Sequence, residues 1–226
     1  MCGRFSMTNE TNELITEFVA AGGEPEDWVK SWNIRPTDQI AIAVESKNTG
    51  QRKIRSARWS LARPRQPQLR GDYPNFNVRH ETVVEKFPYA VRRILVPANG
   101  FFEGRNAGGT STPFYHFSTE HPLLALAGVQ SYWVDPSKPR RGDSGFIATV
   151  AILTMDAIPR LAEIHPRNPL MIPKDQWDWW LDPKTPSDNS LMGAAAESSK
   201  VIAETIQFHQ VASPIRGEGK EVASPI

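Results

Sequence analysis

The second residue of this chain is its only cysteine, and that position is what gives it chemical interest. Methionine before a small side chain is commonly trimmed, so loss of Met1 would leave Cys2 carrying both an α-amine and a thiol. Ordinary pKa values of about 8 and about 8.5 leave a usable fraction of each deprotonated at neutral pH. An aldehyde is the natural electrophile for such a pair. The amine condenses to a Schiff base with loss of water, and the sulfur then adds to the imine carbon and closes a thiazolidine ring. An incidental or buried cysteine is the alternative that residue type alone leaves open.

Other side chains could serve the same chemistry. His165 stands in Glu163-Ile164-His165-Pro166-Arg167-Asn168-Pro169, just before the apolar Leu170-Met171-Ile172, which predicts a loop feeding a strand. A histidine there is either a general acid/base or a structural hydrogen-bonding post. Glu103 follows Gly100-Phe101-Phe102 and precedes Gly104. It is either a carboxyl whose apolar neighbours favour proton transfer or a solvated turn residue. Asn77 alternates with Phe76 and Val78 as a strand would, and its amide could meet a phosphate or sugar oxygen or cap a turn. His80, His116, His121 and His209 have no metal-ligand spacing, so neither a metal nor another cofactor is expected.

From Arg52 to Arg79 the cations Arg52, Lys53, Arg55, Arg58, Arg63, Arg65, Arg70 and Arg79 face a single acid, Asp72. Trp59, Tyr73 and Phe76 lie among them and could stack bases, so the stretch reads as a single-stranded nucleic-acid groove or as a solvated basic loop.

These residues need elements to hold them. The chain has 226 residues, 39% of them hydrophobic, enough for one domain over 1–226 with a partly mobile tail at 217–226. Lys plus Arg number 26 against 25 Asp plus Glu, so no global field announces nucleic acid and the case must rest on local charge. The lone cysteine excludes an intrachain disulfide and fits a reducing, cytoplasmic compartment. No secretory leader, lipid anchor or membrane span is expected.

Apolar spacing predicts a helix over 8–21 around Leu14, Ile15, Phe18 and Val19. Short β-branched or apolar runs predict strands at 39–44, 53–59, 93–96, 113–117, 123–129 and 146–153. Residues 175–181 read as a surface helix packing Trp177, Trp179 and Trp180, whereas 183–199 read as a loop or weak helix. The pattern is a β-dominated domain with few helices.

Met1-Cys2-Gly3-Arg4-Phe5, Trp32-Asn33-Ile34-Arg35-Pro36-Thr37, Asn77-Val78-Arg79-His80-Glu81-Thr82, Gly100-Phe101-Phe102-Glu103 and His165-Pro166-Arg167-Asn168-Pro169 together resemble the SRAP (SOS-response-associated peptidase) family. Order and spacing match over nearly the whole chain. The resemblance implies an α+β, predominantly β, single compact domain with a barrel-like antiparallel sheet and a few short helices. It also implies a monomer that acts on single-stranded DNA containing abasic sites, with no membrane and no metal involved.

In that family the mature N-terminal cysteine forms a thiazolidine with the opened sugar of an abasic site, shielding the lesion from cleavage and error-prone synthesis. Carried over, Cys2 would be the crosslinking nucleophile and Asn77 a polar contact that holds the adduct. Glu103 would assist proton transfers and His165 would act as acid/base on the sugar ring. Arg4, Trp59, Phe76, Arg79 and Thr154 would form the DNA-contacting set, with the arginines on phosphates and Thr154 in support. The sequence departs from the family pattern where Phe101 and Gly104 replace flanking tryptophans, where Pro166 and Asn168 follow the histidine, and where Ser60 follows Trp59. Two other readings stand beside this one: an N-terminal-nucleophile peptidase, with autoproteolytic processing, and a non-covalent single-strand binding module. A Schiff base at the sugar would further permit weak strand nicking by β-elimination.

Overall fold

The computed structural model describes residues 3–18, 20, 22, 28–69, 75–90, 92–138 and 145–226, so Cys2, Val19, Arg70, Asp72 and Tyr73 lie outside the described residues. The first half of the chain forms β1 (Arg4–Met7), α1 (Thr11–Glu17), β2 (Ser31–Ile34), β3 (Gln39–Glu45), β4 (Arg52–Trp59), β5 (Asn77–Arg79), α2 (Val83–Lys86) and β6 (Arg92–Ala98). The second half forms β7 (Gly100–Ala107), β8 (Thr110–Phe117), β9 (Leu124–Val134), β10 (Phe146–Asp156), α3 (Pro159–Ala162), β11 (Arg167–Pro169), α4 (Trp177–Leu181), α5 (Asn189–Thr205) and β12 (Gln207–Gln210).

Strands β10, β4, β3, β6 and β9 follow one another, and β9 pairs back onto β10, closing a five-stranded barrel. Closure removes exposed edges, and the β-branched residues Ile40, Ile42, Ile94, Val150 and Ile152 are fully buried in it. A second sheet runs β12-β8-β7-β1-β2. Pairings are antiparallel except those of β10 with β4 and β5. The class is α+β, predominantly β. All six strand segments read from the sequence are present, with longer bounds.

Residues 183–199 were expected as a loop or weak helix; instead α5 runs for 17 residues from Asn189 to Thr205. Asp188 caps it by accepting from the Leu191 amide at 2.9 Å. Its buried stripe is Leu191, Met192, Ala195, Ala196, Ser199, Ile202 and Ala203. Small residues and a serine make that stripe weak in hydropathy, yet the Ser199 hydroxyl accepts the Met171 amide at 2.7 Å and so suits the core. The helix at the N-terminal side is shorter than expected, Thr11–Glu17, set by a reciprocal Glu10–Glu13 capping box.

Within 217–226 the chain packs back on the second sheet. Val222 and Ala223 are buried with Phe102 and Tyr115, and His209 Nε2 lies 2.7 Å from the Ala223 carbonyl oxygen.

Where β7 passes β8, a Cβ on Gly100 would come 2.4 Å from the Tyr115 hydroxyl and 2.5 Å from the His116 carbonyl, so the crossing requires glycine. His116 itself is buried and stacked on Phe101 at 4.8 Å, and burial pushes its pKa down to about 4. Burial acts to raise Glu81, but hydrogen bonds from Arg167 and the nearby His80 outweigh it and hold the carboxyl at about 2. Both folded-state values are depressed, so both groups cost stability as pH falls. His116 does so from its ordinary 6.5 down to about 4, and Glu81 from 4.5 toward about 2. Urea unfolding across pH should therefore show two descending limbs, and His116→Gln should flatten the upper one. An unchanged upper limb would remove His116 as its cause.

Candidate functional site

The start of β1 is the reference point, because Gly3 precedes Arg4 there. The β1–β7 register sets Arg4 opposite Phe102, Phe5 opposite Phe101 and Ser6 opposite Gly100. Glu103, the residue after Phe102 on β7, is buried. Ser6 and Tyr115 share a hydroxyl hydrogen bond of 2.7 Å below this point. Burial pushes the Tyr115 phenol up to about 12, so it stays protonated as a fixed post.

Trp59 connects β1 to β5. Its ring meets Phe5 edge-on at 5.0 Å and Phe76 at 5.8 Å, and its Nε1 donates to the Phe76 carbonyl at 2.8 Å. The indole is wholly buried. Trp59 therefore presents no face on which a base could stack, contrary to expectation; it holds Asn77, the next residue, in place from beneath. Phe76 is part-buried against the same core.

The end of β10 carries the remaining site residues on its two sides. Thr154 pairs with Arg79 of β5 and with Pro169 of β11. Two strand spacings, roughly 10 Å, thus separate β5 from β11. Thr154 is fully buried and its hydroxyl donates to the Val78 carbonyl at 3.4 Å, so it is a rung of this frame and does not reach a ligand on the surface. Its carbonyl accepts from the His80 amide at 3.1 Å and from Arg167 Nη2 at 2.7 Å. Arg167 forks onto Glu81 at 2.5 and 2.9 Å and reaches Asp156 at 2.6 Å. Burial acts against the Arg167 charge, but the two carboxylates raise its pKa.

This fork fixes the loop that bears His165. The imidazole Nδ1 lies 2.9 Å from the Arg167 carbonyl oxygen and 3.0 Å from its amide nitrogen. Burial pushes the His165 pKa down, the backbone contact opposing it, so the ring is neutral at neutral pH. With Nδ1 turned to backbone, proton transfer falls to Nε2.

Two cations stand at the site's margin. Arg79 is exposed. Arg4 donates from Nη1 to Asn33 Oδ1 at 2.7 Å, and burial together with the adjacent Arg35 lowers its pKa while Glu218 opposes. Sequence gives Arg35 no role of its own; only folding brings it to Arg4. Thr37, in the same sequence motif as Arg35, has φ of +85°, a strained conformation for a β-branched residue, and its amide donates to the Trp59 carbonyl at 2.8 Å.

The basic stretch read as one groove is divided by the fold. Arg52 pairs with Glu45 and Asp178, and Arg58 donates to the Thr37 carbonyl. Lys53 and Arg55 lie toward the far end of β4, away from Arg79. Arg63 and Arg65 are exposed. Among the described residues, no three His, Asp or Glu side chains are grouped to hold a metal ion, and no helix is long and apolar enough to cross a membrane.

The barrel strand β10 is flanked at its end by β5, which carries Asn77, and by β11, which the His165 loop enters, while β1 and β7 of the second sheet carry Arg4 and the buried Glu103. Residues 1–216 match the model of the SOS response associated peptidase (SRAP) family, and the chain belongs to that family. It is 25% identical over 219 residues to abasic site processing protein YoqW of Bacillus subtilis, covering 94% of this chain and 93% of that one. It is 26% identical over 235 residues to abasic site processing protein HMCES of Gallus gallus, covering 87% of this chain and 66% of that one. A crystal structure of a protein from Bacteroides thetaiotaomicron shares the fold over 100% of both chains, with a TM-score of 0.78 at 16% identity.

Proposed function

We propose that this protein processes abasic sites in single-stranded DNA by bonding to them covalently through Cys2. The observation that supports the reading is the pairing of β1 with β7, which sets Arg4 opposite Phe102, the residue before buried Glu103, in a chain of a family whose relatives are named for abasic site processing. Cys2 precedes Gly3 in the sequence. Trp59 ties the strand start to Asn77, and β10 ties Asn77 to His165.

His165 Nε2 takes the proton of the sugar hydroxyl and returns it to the ring oxygen as the bond between that oxygen and the anomeric carbon breaks, opening the ring to the aldehyde. The Cys2 amine adds to the aldehyde carbon with one of its protons passing to the oxygen, and Glu103 supplies the second proton with which water leaves and recovers the remaining one from nitrogen, giving the Schiff base. The thiol sulfur then adds to the imine carbon, its proton passing to nitrogen, and the thiazolidine closes. Asn77 holds a sugar oxygen, and Arg4 and Arg79 hold the neighbouring phosphates. At the Schiff-base stage the acidified carbon permits slow β-elimination, a weak lyase side reaction. The protein acts as a monomer in a reducing, intracellular compartment.

The word peptidase in the family description supports a second reading, in which Cys2 and its own amine cleave peptide bonds, including the one that precedes Cys2. Sustained, Cys2-dependent turnover of peptides would favour it over the crosslinking reading.

Denaturing electrophoresis tests the first reading: a shifted band should form with an abasic single strand and not with an undamaged strand or an abasic duplex. Equal yield on all three would overturn it. His165→Ala should slow adduct formation about 100-fold. Because burial lowers the His165 pKa, the wild-type rate should rise with pH along a limb lying below the ordinary 6.5. That limb should vanish in the variant, and its persistence would take the acid/base role from His165.

A further inference from the structure

Opposite residues on paired strands share a face, so register assigns sides in the barrel. Lys53 pairs with Val44, Arg55 with Ile42, Arg92 with Gln130, Val150 with Gln130 and Phe146 with Val134. Val150 also pairs with Trp59. The face that is sealed at Ile42, Ile94, Trp59 and Val150 therefore opens at one end onto Lys53, Arg55, Arg92, Tyr132 and Phe146. This end forms a cavity of about 930 Å³, within the range of ligand sites.

Its chemistry is consistent. Lys47, Lys53, Arg55, Arg92, Arg93 and Lys184 line it, and the one carboxylate among the described lining residues, Glu45, is turned to Arg52 at 3.3 Å. Arg93 is committed to carbonyl oxygens of the 180–185 segment, including Trp180 at 2.6 Å and Thr185 at 3.0 Å, and so builds the cavity wall. Arg92 donates to the Tyr132 hydroxyl at 3.3 Å, which orients that ring. Tyr132 and Phe146 are 36% and 46% exposed, enough to offer stacking surface. Gln130 lines the cavity at 3% exposure on the same face as Val150 and Arg92, and its Oε1 has no hydrogen-bond partner among the described residues. A buried acceptor facing a cavity in this condition can take a hydrogen bond from a polar ligand or from water.

We propose that this mouth is a second binding site for single-stranded DNA, with phosphates on Lys53, Arg55 and Lys184, a base against Tyr132, and base-edge groups within reach of Gln130. It shares no residue with the Cys2 site: Arg4, Asn77, Glu103 and His165 do not line it. Phe146 and Thr154 are eight residues apart on β10, so the two sites lie roughly 25 Å from each other. A strand caught at the lesion would have to run on across the molecule to reach it. The choice of DNA as occupant rests on the reading of the protein as a DNA-lesion protein; the charge, the rings and the buried acceptor do not.

The test compares wild type with Lys53→Glu/Arg55→Glu and with Tyr132→Ala, each checked for an unchanged melting temperature. Affinity for a long undamaged single strand should fall about tenfold in the charge-reversed variant, with a salt slope shallower by about 1.4 for two lost phosphate contacts. It should fall about fivefold or more in Tyr132→Ala. Crosslinking to an abasic strand too short to span the two sites should be unchanged in both. Unchanged affinity for the long strand, or a mononucleotide binding there as tightly as the strand, would overturn the proposal. Loss of long-strand binding in a protein that never crosslinks would sink the lesion reading and leave this site standing.

Discussion

Trp59→Ala should lower the unfolding free energy by about 3–5 kcal/mol, because it empties the largest side chain from the junction of both sheets. The ring is wholly buried between Phe5 and Phe76, and its Nε1 bond to the Phe76 carbonyl would also be lost. Chemical denaturation measures this directly. Trp59→Phe keeps much of the packing and should cost less than half as much. In both variants, adduct formation at temperatures where the protein remains folded should drop, since Asn77 follows Phe76 on the chain. A Trp59→Ala protein of normal stability but weakened binding to single strands would instead restore the expectation that this ring stacks on bases.

The second large effect separates the two nucleophiles of Cys2. Cys2→Ser keeps the α-amine and the signal for Met1 removal but lacks the sulfur that closes the ring. It should form Schiff base that borohydride traps, while the adduct that forms without reductant falls by at least about 100-fold. Strand nicking should persist or rise, because the open imine is no longer diverted into thiazolidine. A reductant-free adduct from Cys2→Ser at wild-type yield would show that the thiol is dispensable.

The barrel was largely legible because its strands are continuous apolar or β-branched runs such as Gln39–Glu45 and Phe146–Asp156. β1 and β2 are four residues each and carry polar or charged members such as Arg4, Ser6 and Asn33, so pattern alone does not announce them. α5 escaped for the related reason that its buried stripe sets three alanines and a serine among Leu191, Met192 and Ile202.

In the candidate site, residue types pointed to Cys2, Asn77, Glu103 and His165, yet they could not say what holds them. The Glu81–Arg167–Asp156 network joins residues far apart in sequence, and Arg35 becomes a neighbour of Arg4 only when β1 and β2 pair. Charge counted along the chain also misled. Eight cations between Arg52 and Arg79 suggested one groove, but strand direction sends Lys53 and Arg55 to one end of the barrel and Arg79 to the other. Burial was equally invisible: an aromatic among arginines looks like a stacking surface until Trp59 is seen to have no exposed face.

The account turns on one bond, and intact mass spectrometry reads it. Purified protein confirmed to begin at Cys2 would be incubated with a short single strand containing one abasic site, without reductant, beside an undamaged strand and Cys2→Ala. The account predicts a stable species at the summed mass of protein and DNA less one water, absent from both controls. Its absence from the abasic reaction, or its presence at equal yield with Cys2→Ala, would contradict covalent capture through Cys2.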